Sequence, residues 1–212
     1  MHFRHRVVAA AAAVGFAAAS AVLIVPSAQA AMPGSKSLAS VLLKDTTAQG
    51  NPSYDKNNAD FDILTAAVLA VLADNPSSSV AVLTDGSVKL TAFLPTDGGF
   101  RRTGEALGLT AKSESGLVGK YVDTFGVSGI ESILLYHVVP GVKINAKAAA
   151  AADGAVLSTA LKQTVKVNVT KKGIFLEDKA TTIRDPKVVI TDINKGNLQI
   201  AHGINRVLVP GL

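Results

Sequence analysis

The 212-residue chain has no cysteine and no tryptophan, and aromatic residues make up only 5 % of it. Without cysteine there is no thiol nucleophile, no disulfide exchange and no thiolate-held metal. With few aromatics, the core must be built from Val, Leu, Ile and Ala. Histidine is nearly as sparse: of four, His2 and His5 stand in the first few residues, leaving His137 and His202 for any chemistry in the body of the chain. A hydrolytic triad needs a nucleophile, a histidine and an orienting acid, yet no G-x-S-x-G surrounds any serine. No H-E-x-x-H exists, and a catalytic zinc usually takes three protein ligands. No phosphate loop or dinucleotide fingerprint appears either.

What is there begins with a leader. "MHFRHRVVAAAAAVGFAAASAVLIVPSAQA" has a basic start (Arg4, Arg6), an apolar run from Val7 to Val25 and the small-x-small break Ala28-Gln29-Ala30. That order is a secretory signal peptide, so residues 1–30 are expected to leave by cleavage after Ala30. An uncleaved segment would instead tether the protein to a membrane. Removing it takes away two arginines and no acid, so the formal charge of +5 falls by two. A small excess of that kind argues against nucleic acid as a partner. The remaining residues 31–212 suffice for one domain without disulfides.

Ser37 is placed to cap a short helix in "SLASVLLKD", with Leu38, Val41 and Leu42 on one face. In "DFDILTAAVLAVLADNP", apolar residues at helical spacing predict a largely buried helix capped by Asp60 and ended by Asn75-Pro76. "VAVLTDGSVKLTAFLP" reads as two strands joined at Asp85-Gly86. Thr96 caps the helix that follows, Asp97 lies in its first turn, and Gly108 stops it. Another short helix is expected near Leu117 to Phe125, and "SGIESILLYHVVPG" reads as a helix running into a strand. The last seventy residues are mostly strand. In "TVKVNVT", Val165, Val167 and Val169 point inward, and "KVVITDI" and "LQIAHGINRVLV" are joined by the turn "NKGN".

His137 shares the face of Ile130, Ile133 and Leu134, and His202 that of Leu198, Ile200 and Ile204. Both are therefore expected to be core residues with satisfied hydrogen bonds. The carboxylate pairs Asp60 with Asp62 and Asp123 with Glu131 read as caps and solvated charges rather than acid/base pairs. Arg101-Arg102 and Lys171-Lys172 read as solvated too. Asn168-Val169-Thr170 matches the N-glycosylation pattern.

Four blocks then stand in a recognisable order. "LTAFLPTDGGF", "LLYHVVPG", "TALKQTVKVNV" and "VVITDINKGNLQIAHGINRVLVP" resemble the successive blocks of a fasciclin domain, and they fall between Leu38 and Pro210. The resemblance implies an α+β fold, a wedge of two packed β-sheets with helices along one side. It also implies a secreted or cell-surface adhesion module that binds an extracellular protein, a polysaccharide or a matrix component, or associates with itself, without catalysis or cofactor. The family's adhesive elements fall on Tyr136, His137, Asp192 and Ile193. The chain departs from the family pattern in having Leu94 before Pro95 and Asn205 in place of an Asp. The approach to His202 is also one residue longer, which a β-bulge would absorb. The alternative reading is an extracellular carrier of an apolar small molecule, suggested by the 48 % hydrophobic composition.

Overall fold

The computed structural model describes residues 33–211; the leader lies outside them. A first short helix α1 (Ala39–Leu42) continues as a 3-10 turn, Leu43–Asp45. Then come α2 (Asp62–Asp74), a 3-10 segment (Ser79–Thr84), β1 (Leu90–Pro95), α3 (Asp97–Leu107) and α4 (Glu114–Tyr136). β2 (Val138–Pro140), α5 (Ala146–Ala150), β3 (Val156–Ser158), β4 (Thr164–Thr170), β5 (Gly173–Glu177), β6 (Val188–Ile193) and β7 (Gln199–Ile204) complete the domain. One sheet has the order β2-β1-β7-β6 and the other β3-β4-β5. β1 and β7 are parallel, and the other pairings between these strands are antiparallel.

All six residues of both β1 and β7 are buried, because the four-stranded sheet is covered on both faces. Alternation along β1 separates the two cores. Leu90, Ala92 and Leu94 pack with the helices, against Ile63, Leu64, Phe100 and Leu134 among others. Phe93 faces the three-stranded sheet, with Tyr136, Val165, Val167, Leu176, Ile204 and Leu208. This is the α+β wedge of two packed sheets with helices along one side.

Several local expectations hold. The Thr96 side chain accepts from Gly99 N at 3.1 Å, and Ser37 Oγ accepts from Ser40 N at 3.2 Å. The two helices expected on either side of residue 126 are present too: they run together as α4 and are separated where Gly126 leaves the helical conformation, with φ 67° and ψ 169°. Two do not. The Asp85-Gly86 hairpin is absent: residues 79–84 form a 3-10 segment capped by Ser78, whose hydroxyl accepts from Val80 N. Asp85 takes Ser87 N into a local turn (3.0 Å), and Gly86 packs so tightly on the Ser35 backbone that a Cβ would overlap it. The start of α2 is capped by Asp97, whose carboxylate accepts from Asp62 N (3.2 Å) and Ile63 N (3.0 Å), and not by Asp60. The register of β6 with β7 shifts twice, with the extra residue on β6 each time and not in the approach to His202.

Candidate functional site

Tyr136 and His137 end α4 at its junction with β2. Tyr136 is 0 % exposed and His137 4 %. The Tyr136 hydroxyl donates to Thr164 O on β4 at 2.9 Å, and burial pushes its proton affinity up to about 12. His137 Nε2 accepts from Leu208 N (2.9 Å), so the ring proton sits on Nδ1 and is donated to Ile133 O (2.7 Å). Burial pushes the imidazole down to about 4, which keeps it neutral. The pair ties the end of α4 to the second sheet and to the C-terminal segment. Adhesive contact through these side chains therefore conflicts with the structure: neither reaches the surface, and every polar atom is already used.

Asp192 and Ile193 lie on β6, at the opposite edge of the four-stranded sheet from β2. Three strand spacings, about 14 Å, separate those edges, so the two candidate pairs form no common site. Asp192 has φ 60°, and its carboxylate accepts from Ala146 N (2.7 Å) and pairs with Lys195 (3.1 Å). Those hydrogen bonds hold its carboxyl below the usual carboxylate range. Ile193 packs against the helical core. His202 accepts from Asp192 N (3.4 Å) and donates to Ile144 O (2.8 Å), so the second histidine is also closed.

An apolar cavity beneath α2 and α4, lined by Leu64, Phe100, Val118, Ile133 and His137 among others, leaves about 20 Å³ to a water-sized sphere. That is room for one water and no more, well short of an apolar ligand.

Two charged regions are left open. The first is a cleft of about 390 Å³ lined by Phe175, Arg184, Asp185, Lys187, Asn205 and Arg206. Lys187 Nζ sits 5.9 Å from the centre of the Phe175 ring. Partial burial, and then the charges of Arg102 and Arg184, lower the proton affinity of Arg206. Among the described residues, none of the ion pairs within 4.0 Å involves Arg102, Arg184, Lys187 or Arg206. Sequence reasoning passed over this group because its members come from α3, the segment before β6 and the segment after β7, which only the fold brings together. Arg101 is different from its neighbour, because it pairs with buried Glu114 at 3.0 Å.

The second region is acidic. Asp62, Asp97 and Glu114 are the first residues of α2, α3 and α4, and all three are buried. Acids suit helix N-termini, but here three such ends converge. Burial, and then the adjoining Asp60, push the Asp97 carboxyl well above the usual range. Asp60 and Glu114 are raised by burial as well. These carboxylates are the residues that could hold a metal ion.

The family model of the fasciclin domain matches residues 65–210, more than half of the chain, and the chain belongs to that family. The domain is an adhesion module, generally without catalytic activity and typically extracellular. Among solved structures, the chain is similar to a FAS1 domain pair from the insect cell adhesion molecule fasciclin I. The TM-score is 0.46 and the identity 17 %, over 69 % of this chain and 46 % of that one, so the chain spans less than half of its length. Comparison with curated proteins gives no match. Among the described residues, no helix is long and apolar enough to cross a membrane.

Proposed function

We propose that the protein is exported on residues 1–30, released by cleavage after Ala30, and acts as a one-domain adhesion module over residues 31–212. Its partner is an anionic component of a surface or matrix, a polysaccharide or a protein bearing carboxylate, sulfate or phosphate groups. The observation that carries this reading is the cleft beside Arg184, Lys187 and Arg206, with Arg102 near enough to act on Arg206. Guanidinium groups without a carboxylate partner suit planar, bidentate recognition of such anions. Tyr136 and His137 serve the contact indirectly, by fixing the C-terminal segment that carries Asn205 and Arg206. Asp192 and Ile193 hold β6, whose first residue follows Lys187.

The test is binding of the purified protein to immobilised surface polysaccharide fractions, anionic against neutral, at increasing salt. Saturable binding to the anionic fraction that weakens as salt rises supports the reading. The double variant Arg184→Glu/Arg206→Glu is expected to lose about tenfold or more in affinity. Equal binding to neutral glycan, or no effect of the charge reversal, contradicts the cleft. Tighter binding to single-stranded nucleic acid of matched charge contradicts the choice of partner.

A further inference from the structure

The acidic region carries more charge than the domain itself satisfies. The donors in reach are few. Arg101 takes Glu114 Oε1, Ser53 Oγ and Asp55 N reach Asp62, and Asp62 N and Ile63 N are taken by Asp97. Three carboxylate oxygens then remain buried with no hydrogen-bond partner: both of Asp60 and Oε2 of Glu114. Glu114 is 2 % exposed and its side chain fully enclosed. A buried anionic oxygen without a donor is rare in folded proteins, because its lost hydration must be replaced by something.

The same oxygens form overlapping groups. Asp55, Asp62 and Glu114 each offer an oxygen within 4.8 Å of the other two, and so do Asp60, Asp62 and Asp97. Asp62 belongs to both, whereas Asp60 and Glu114 share neither. Two oxygens bound to one calcium ion, at roughly 2.4 Å each, stand at most about 5 Å apart, so the three carboxylates of either group, taken by itself, lie within the span of one coordination shell. All candidate ligands are oxygen, with no imidazole, and that selects a hard cation over zinc or copper.

We propose that this pocket binds one divalent cation of the calcium type between the carboxylates of Asp55, Asp62 and Glu114, using the unpartnered oxygen of Glu114. The ion supplies the positive charge that Arg101 alone does not. It also clamps the 53–62 loop onto the starts of α2 and α4, so binding stabilises the fold and leaves the arginine cleft unchanged. The site is independent of the adhesive reading, since it uses none of the cleft residues.

The test uses the purified, chelator-treated protein. Because the chain has three tyrosines and no tryptophan, Tb³⁺ luminescence can be excited through tyrosine alone. Tyr54 is close enough to be the antenna: after burial, the charges of Asp62, Asp97 and Glu114 are what raise its proton affinity. Sensitised Tb³⁺ emission is expected, displaced by Ca²⁺ in the range up to about 1 mM, with Ca²⁺ raising the unfolding temperature by several degrees. Asp55→Asn keeps the Oδ1 that accepts from Asn57 N, so it keeps the fold while weakening Ca²⁺ about tenfold or more. Glu114→Gln, which keeps an oxygen for Arg101, gives an independent loss. Absence of Tb³⁺ emission and of any Ca²⁺ effect on unfolding overturns the site, as does undiminished binding in Asp55→Asn. So does Asp60→Asn raising stability in chelator while the parent ignores Ca²⁺, which is the signature of a proton shared by Asp60 and Asp97.

Discussion

The Tyr136–His137 junction and the pocket where α2, α3 and α4 begin are both buried and both polar, yet they are built in opposite ways. At the junction each polar atom has one partner: Thr164 O for the phenol, Leu208 N and Ile133 O for the imidazole. In the pocket, carboxylate oxygens outnumber donors and three are left over. A closed network has nothing to offer a ligand, and breaking it costs the fold. An open one costs stability as it stands and gains from whatever completes it. The arginine cleft belongs with the open kind: Asp185 lines it, but among the described residues none of its cations forms an ion pair.

The largest effect is expected at the closed site. His137→Gln leaves the buried Leu208 N–H or the Ile133 carbonyl unpaired, which costs about 2–3 kcal/mol and lowers the unfolding temperature by roughly 5–10 °C. Calorimetry checks it, and an unchanged transition would mean the junction is not closed. The same variant changes the pH response. The native imidazole titrates near 4 and the unfolded one near 6.5, so between these values the unfolded chain binds the extra proton. Stability should therefore be fully present above about pH 6.5 and decline as pH falls towards 4. In His137→Gln that acid limb flattens.

A smaller effect is expected at the open site. Asp97→Ala uncaps Asp62 N and Ile63 N and costs about 1–2 kcal/mol. Asp97→Asn keeps an acceptor while removing a charge, so in chelator it costs less than the Ala variant. The Asp97 proton affinity is raised in the fold, so its ionisation costs stability as pH rises above the ordinary carboxylate value near 4. That slope is opposite to the one from His137, and Asp97→Asn should remove it. Unfolding temperatures of the two variants from pH 4 to 8 compare the regions directly; parallel profiles would erase the contrast. The smallest effect is Tyr136→Phe, which loses one hydrogen bond to Thr164 O, about 1 kcal/mol in chemical denaturation.

Where a feature rests on neighbours in the chain, it was legible in advance. Thr96 reaches only to Gly99, the alternation of β4 stands in seven consecutive residues, and the apolar company of His137 repeats every turn of its helix. Features that depend on distant residues were not. Asp85-Gly86 carries the composition of a hairpin turn, but the backbone of Ser35 claims the space beside Gly86. Asp60 stands where a cap should, but an acid 35 residues from Ile63's own helix start, counted to Asp62, holds those N–H groups instead. The two open sites draw on separate stretches throughout the chain, so no spacing rule applies to them. What could be read was the negative half: two histidines in apolar patterns, with no nucleophile or ligand set around them.

The division between closed and open sites comes down to a single binding comparison. Affinity for the anionic surface polysaccharide is measured for the parent protein, for His137→Gln at a temperature where it is folded, and for Arg184→Glu/Arg206→Glu. If the junction is scaffold and the cleft is the contact, His137→Gln binds like the parent and the arginine variant loses about tenfold or more. Loss of binding in folded His137→Gln, with the arginine variant unaffected, would contradict it.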